Sequence, residues 1–311
     1  MGQSGGKSGL RAVLLLLPLA LLVGVAVWQL LRPLGMPEPP GPQAWLDAAR
    51  YVRSGFRPGD VVRIEPTWLT QGRVYFGDID SGPRTPMRVL DLHAPLDLPF
   101  LYRFQRLWLI TAVEQRSSGD ALLTDRFERL DEVEFPGLTV SLYQVPQGLL
   151  LWQMREGMSA AVLASGGAGS EACPWRQDRF RCAGQPVADV RFEMREVAGG
   201  PRQCLLVKPE PEGRQTVLQF PSLDREGELL VRAGNTVEAA RSKDGGTVLV
   251  EVELDGNPVG SMSLQRASYR LDEVRATVQG GGPHELEIRL STDDATKREV
   301  CLDGFILAPG Q

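Results

Sequence analysis

The chain has 311 residues, 42% of them hydrophobic and 23% charged, enough material for about two domains at roughly 100–200 residues each. Its formal net charge of -5 supplies no basic field to concentrate on phosphates, which excludes nucleic acid as a partner on electrostatic grounds. The 34 Gly and 23 Pro against 10 Phe, 6 Trp and 5 Tyr predict many turns and short strands in place of long helices.

Residues 1–11 carry Lys7 and Arg11 and form a short tail. Residues 12–31, AVLLLLPLALLVGVAVWQLL, hold no charge, and such a run at about 1.5 Å rise per residue matches a hydrocarbon core roughly 30 Å thick. The reading is a single transmembrane helix. Positive charge before it exceeds the lone Arg32 just after it, so the N-terminus is expected in the cytoplasm and everything after residue 32 in the periplasm or outside the cell. Trp28 suits an interfacial aromatic. A cleaved signal peptide is the competing reading, with Gly24-Val25-Ala26 as a small-x-small site, and a buried core helix is the other alternative. Residues 32–42 are a Pro-rich linker that extends the chain stiffly.

The exported half of this reading agrees with the cysteines. Cys173, Cys182, Cys204 and Cys301 are even in number and all lie in the second half. Three pairings are open. The favoured one joins Cys173 to Cys182 across a short loop and Cys204 to Cys301 between an early strand and the last. No zinc-ligand spacing is present, so no metal is expected, and buried reduced thiols are the alternative.

Residues 43–146 read as a small α/β domain. Trp45, Ala48, Ala49 and Val52 share one face of a helix over 44–56, with Asp47, Arg50 and Arg53 opposite. Arg57-Pro58-Gly59-Asp60 stops the helix, and strands are predicted over 61–64, 107–113 and 139–145. The run LWLITAV is apolar throughout, as in a strand covered on both faces. His93, between Asp91 and Asp97, attracts notice as a base or ligand, but no nucleophile motif completes a triad around it. Asp78 and Asp80 in FGDIDSG read as a solvated turn in preference to an acid–base pair or a cation loop. The segments AARYVRSGFRPGDVV, YRFQRLWLITA and LTVSLYQV, in that order, resemble the soluble extracytoplasmic portion of polyprenyl-phosphate-sugar glycosyltransferases of the dolichyl-phosphate-mannose type. Those enzymes carry many membrane spans and an acidic catalytic residue in an early external loop, and this chain has one expected span. The resemblance therefore implies a detached accessory domain without the catalytic body.

Residues 147–172, with SGGAGS at 165–170, read as a linker, and 173–311 as a domain of short antiparallel strands. Over 247–254, Val248, Val250, Val252 and Leu254 alternate with Leu249, Glu251 and Glu253, and Asp255-Gly256-Asn257 reverses the chain into a hairpin. Further strands are predicted over 219–221, 228–233, 261–267, 274–278, 285–291 and 300–307. The fold class expected is α+β: one N-terminal transmembrane helix, a small α/β domain and a C-terminal antiparallel β-sandwich. The segments GGGPHELEIRLST and REVCLDGFILAPG resemble the last two strands of galactose-binding-like jelly rolls, in which His284 is a strand-start residue and Asp303 a turn or network residue.

Such folds often hold sugars by stacking an aromatic on a pyranose face. Trp175 and Tyr269 are the candidate aromatics, and Arg179 and Arg270 their candidate polar partners, with Arg176 and Arg181 adding charge near Trp175. Trp175 has a second reading, as a side chain packed on a disulfide. No catalytic residue and no cofactor is assigned. The expected role is a membrane-anchored extracytoplasmic accessory protein of an envelope glycan or polysaccharide system, binding carbohydrate or envelope protein partners. The alternatives are a glycan-active enzyme, with two carboxylates facing each other across a cleft, and an assembly protein with a flat apolar patch.

Overall fold

In a computed structural model the described residues are 22–25, 27–28, 39–66, 71–76, 96–112, 118–165, 173–176, 179–180, 190–210 and 214–310. Most of the apolar run 12–31 lies outside them, as do Asp78, Asp80, Asp91, His93, Arg181 and Cys182. The described parts of that run, 22–25 and 27–28, are helical, and Leu22, Val23, Val25, Val27 and Trp28 are exposed. Among the described residues no helix is long and apolar enough to cross a membrane.

The first unit runs α1 (Pro42–Gly55), β1 (Asp60–Glu65), α2 (Gln71–Phe76), α3 (Leu98–Leu101), β2 (Arg106–Ala112), α4 (Ser118–Arg126), β3 (Glu128–Phe135) and β4 (Leu138–Gln144). Its sheet has the order β1-β2-β4-β3, parallel between β1 and β2 and antiparallel elsewhere. Pro42 opens α1, where a missing N–H costs nothing, and Ala44, Trp45, Ala48, Ala49 and Val52 are its buried stripe. The stripe covers one face of the sheet at Val62, Ile64, Trp108, Ile110 and Val140.

The turn from α1 to β1 is tied by a single carboxylate. Asp60, with a fully buried side chain, accepts from Arg106 Nε and Nη2 at 2.9 and 2.6 Å, from Trp108 Nε1 at 2.9 Å and from the Arg57 amide at 2.9 Å. Arg106 also donates to the Gly55 carbonyl at 2.7 Å, which closes the helix end onto the strand. The sequence signatures Pro-Gly-Asp and Arg-Leu-Trp thus form one hydrogen-bonded knot, with the buried charge paired as burial requires.

The second unit begins at Leu150. Its elements are β5 (Leu150–Gln153), α5 (Met154–Gly157), β6 (Val162–Ser165), β7 (Cys173–Arg176), β8 (Arg179–Phe180), β9 (Val190–Val197), β10 (Gly200–Val207), β11 (Thr216–Leu223), β12 (Gly227–Asn235), α6 (Val237–Arg241), β13 (Val248–Leu254), β14 (Asn257–Leu264), β15 (Leu271–Val278), β16 (His284–Thr292) and β17 (Val300–Leu307). Residues 147–172, expected as a linker, contribute β5, which pairs with β17, and β6, which pairs with β11. Each of these strands is four residues long, too short for a periodic signal in sequence, yet Leu150, Trp152 and Leu163 each join a core cluster.

The last eight strands nest. In one half of a continuous sheet β10-β17-β12-β15 lie side by side, in the other β11-β16-β13-β14, the halves joined through β6, β7, β8 and β9, and the chain changes half at every connection except the β13–β14 hairpin. Two four-stranded antiparallel halves wrapped in this way are a jelly roll. Its interior is filled from both halves by alternating residues such as Val231, Leu302, Val250, Ile288 and Leu218. Strand β13 buries Val248, Val250, Val252 and Leu254 as its alternation demands, and β17 starts and ends where the sequence places it. The hairpin turn has positive φ at both Asp255 (53°) and Gly256 (72°), the pair of conformations a two-residue primed turn needs. His284, at the start of β16, holds that turn through Nδ1 to Asp255 Oδ2 at 2.7 Å.

Cys204 and Cys301 are joined between β10 and β17, their Cα atoms 5.5 Å apart and 97 residues apart in sequence. A loop of that length implies up to about 4–5 kcal/mol of stabilisation through the unfolded chain. Cys182, the expected partner of Cys173, lies outside the described residues.

The two units share a core. The sheet face opposite α1 presents Val61, Leu107, Leu109, Tyr143 and Val145, and these pack with Leu230, Phe305 and Leu307 on the outer face of the jelly roll. Strand β2 is therefore covered on both sides, which is why its sequence shows no alternation.

Candidate functional site

Three connections gather at one end of the jelly roll. They are α6 with the loop 242–247, the loop 265–270 between β14 and β15, and the loop 293–299 before β17. Arg298 draws them together. Only 1% exposed, it donates from Nη2 to the carbonyls of Ala239 (2.7 Å) and Asp244 (2.6 Å) and from Nη1 to that of Arg266 (3.3 Å). No carboxylate is among these acceptors, and its Nε is buried without a hydrogen-bond partner. Burial and neighbouring Arg266 lower its pKa, while Asp294 and Asp244 oppose them; a guanidinium stays charged through such shifts. Gly245 has φ +87°, and a Cβ there would meet the Thr296 carbonyl oxygen at 2.3 Å, so that loop position needs glycine.

Beside Arg298 opens a cleft of about 730 Å³. Strand β9 supplies Arg195, the exit of β10 supplies Lys208, α6 supplies Glu238 and Ala239, and the last loop supplies Lys297 and Glu299. Lys208 and Glu299 pair at 3.2 Å. Lys297 pairs with Asp244 at 2.9 Å on the exposed side, where such a pair contributes little. Thr236 caps α6 through its side chain at 3.2 Å to the Ala239 amide. The scaffold is thus fixed by caps and by Arg298, and its cations stand at the surface of the cleft.

The residues singled out in the sequence do not converge. Trp175 on β7 is half-buried, edge-on to Phe180 and Phe192 at centroid distances of 5.1 and 5.8 Å, with Arg155 over Phe192. Its place is in the packing of the sandwich flank. Arg179 is exposed on β8 opposite Arg191. The register carries one row from Arg179 through Arg191, Leu206, Cys301 and Gly234 to Leu271. Five inter-strand steps at roughly 4.8 Å make about 24 Å along the sheet between Arg179 and the start of β15, next to Tyr269 and Arg270. Tyr269 is different: 48% exposed, it sits in the loop whose Arg266 carbonyl Arg298 holds. Among the described residues only it and Trp28 are exposed aromatics. The cleft residues Arg195, Lys208, Lys297 and Arg298 carried no sequence signal beyond a polar stretch, DDATKRE, before the last strand.

A second group of shifted ionisable side chains lies elsewhere, between the two units. Arg232 on β12 bonds Asp303 through Nε (2.7 Å) and Nη2 (2.8 Å), and bonds Asp97 through Nη1 (3.0 Å) and Nη2 (2.9 Å). Arg202 adds a 2.8 Å contact to Asp97. Burial acts to raise the Asp97 pKa, but Arg232 and then Arg202 outweigh it and hold it below the usual range. Asp303 is raised by burial, which Arg232 only partly offsets. Burial would lower the Arg232 pKa, and the two carboxylates raise it instead. Every member is paired, so the arrangement is a polar bolt through the shared core. Among the described residues no group of three or more His, Cys, Asp or Glu side chains is placed to hold a metal ion.

No protein-family model matches the sequence, and no curated protein matches it. Solved structures similar to the chain include CBM51 from Clostridium perfringens GH95 in complex with methyl-galactose (12% identity, 37% of this chain and 79% of that one, TM-score 0.28). Another is the C-terminal CBM6 of a laminarinase from Zobellia galactanivorans (12% identity, 47% and 98%, TM-score 0.25). A third, CBM51-2 with INT domains from Clostridium perfringens ZmpB, has 10% identity over 60% of this chain and 41% of that one, with a TM-score of 0.32. The jelly-roll assignment rests on the strand pairing itself.

Proposed function

We propose that the chain is a membrane-anchored, extracytoplasmic accessory protein of an envelope glycan system, and that its jelly roll binds carbohydrate at the Arg298 end. The observation that carries this reading is the cleft itself: about 730 Å³, on a rigid scaffold, with an exposed tyrosine on an adjoining loop. A small-molecule site needs concavity, some apolar wall and a few fixed polar groups. Ala239 and Ala295 supply wall, and Glu238 and Lys297 supply polar groups. Support for the location is separate. The uncharged run 12–31 has the length of a span, and a disulfide closing a long loop suits an oxidising compartment.

The test is a glycan-array screen of the full chain in detergent, beside Tyr269→Ala and Trp175→Ala. We expect binding by the parent, about tenfold or greater loss in Tyr269→Ala, and in Trp175→Ala a lowered Tm with affinity retained below it. No glycan bound by the parent would sink the reading. Binding that survives in Tyr269→Ala would move the site away from this end.

A further inference from the structure

We infer that the cleft is selective for acidic sugars, and that its ligand is a uronic-acid residue of a polysaccharide. This rests on the proposed carbohydrate reading and narrows it. The lining carries four cations, Arg195, Lys208, Lys297 and Arg298, against two carboxylates, Glu238 and Glu299, in a chain whose formal net charge is -5. The groups facing the cleft are therefore net positive, because Glu193, Asp244 and Asp294, which offset these cations, stand outside its lining.

Not all of this charge is neutralised within the fold. Lys208 is taken up by Glu299 at 3.2 Å, and Arg195 reaches Glu193 at 3.2 Å. Lys297 holds Asp244 only through an exposed pair, which a ligand can displace at little cost. Arg298 is buried, donates from Nη1 and Nη2 to backbone carbonyls, and leaves Nε without a partner. Asp294 and Asp244 act on its charge from a distance, but neither lines the cleft, so the cleft side of Arg298 faces no carboxylate hydrogen-bonded to it.

The two glutamates decide between kinds of anion. Sulfate offers no donors, and inorganic phosphate has only one or two hydroxyls and no apolar face, so neither meets both Glu238 and Glu299 and the apolar wall. A uronic acid carries one carboxylate for the cations and several hydroxyls that can donate to the glutamates. Its pyranose ring also presents C–H faces to Ala239, Ala295 and the aliphatic stems of Lys297 and Arg195. One molecule then satisfies cationic, acidic and apolar lining together.

The experiment is calorimetric titration of the detergent-solubilised full chain. The probes are tetrasaccharides of galacturonate, of mannuronate and of alternating glucuronate and N-acetylglucosamine. Maltotetraose and chitotetraose are the neutral comparisons, and inorganic phosphate is the competitor. We expect at least one uronate tetrasaccharide to bind tenfold or more tightly than either neutral one, and to weaken several-fold between 50 and 300 mM NaCl. The double variant Arg195→Ala/Lys297→Ala should lose tenfold or more of that affinity with Tm unchanged. Arg275→Ala, on β15 away from the cleft, should lose none.

Neutral tetrasaccharides binding as well as the uronates would overturn the acidic selectivity and leave carbohydrate binding standing. Phosphate displacing the sugar at micromolar concentration, or unchanged affinity in the double variant, would also overturn it. If no saccharide binds, the carbohydrate reading falls, and this inference with it.

Discussion

The two units solve the same covering problem differently. The small α/β sheet has both faces buried, one by α1 and the other by the jelly roll, so no sheet face is left for a ligand. The jelly roll buries its inner faces against each other, lends one outer face to its neighbour, and keeps a loop-rich end with a 730 Å³ cleft. The smaller unit is thus a packing partner and the larger one a presenting scaffold. Its core is also closed by strand pairing distant in sequence, which fixes the loops at the free end.

Breaking the bolt between the units should have the largest effect. Arg232→Ala leaves Asp97 and Asp303 buried without their shared cation, and we expect a loss of about 3–5 kcal/mol in denaturant unfolding. Because the contact spans the shared core, calorimetry should then resolve two transitions where the parent shows one. One unchanged transition would refute the view that Arg232 couples the units. Next in size is Cys204→Ser/Cys301→Ser, with an expected loss of about 2–5 kcal/mol that, in the Arg232→Ala background, should fall on the jelly-roll transition alone. These two changes together separate coupling between units from closure within one.

Acid should act on the same bolt with a definite sign. The Asp97 pKa is lowered in the folded state, so its contribution is present above the unfolded value of about 3.9 and is lost as pH falls through the folded value. The stability difference between parent and Asp97→Asn should therefore be constant from neutral pH to about 5 and shrink below about 4. Asp303 moves the other way: its pKa is raised by burial, so it takes up a proton first as pH falls. A difference that grew on acidification would show that Asp97 is not the stabilising carboxylate.

Legibility in the sequence followed periodicity and range. The helix over Trp45, Ala48, Ala49 and Val52, the hairpin at Asp255-Gly256 and the final strand were readable because each is set by neighbours within a few residues. Strands β5 and β6 are not, since four residues each give too short a pattern; the β5 partner lies about 150 residues away, and β6 pairs both β7, about ten residues on, and β11, about 50 residues on. In sequence Asp97 stands out only as a neighbour of His93, because its partners, Arg202 and Arg232, are 105 and 135 residues distant. The cleft was missed for the same reason. Arg195, Lys208 and Lys297 read singly as solvated charges, and only the nesting of β9, β10 and β17 brings them together. Trp175 drew attention because a tryptophan among arginines reads as a platform, whereas β9 supplies the Phe192 that packs on it.

The smallest expected effect sharpens the comparison most, because it belongs to one unit alone. Tyr51 on α1 donates its hydroxyl to Asp131 on β3, tying the helix to the edge of the α/β sheet. The hydrogen bond to that carboxylate, with burial and its charge, pushes the Tyr51 pKa up to about 12. A raised tyrosine pKa means that the folded state keeps its proton longer. The contribution is thus full below about pH 10, the unfolded value, and is lost as pH rises toward 12. Tyr51→Phe should cost at most about 1 kcal/mol at neutral pH and remove the part of alkaline destabilisation that falls between pH 10 and 12. In the Arg232→Ala background, where the units melt separately, that change should appear only in the α/β transition. An equal shift of both transitions would mean that the apolar part of the interface, Leu230 and Phe305 against Leu107 and Leu109, couples the units without the bolt.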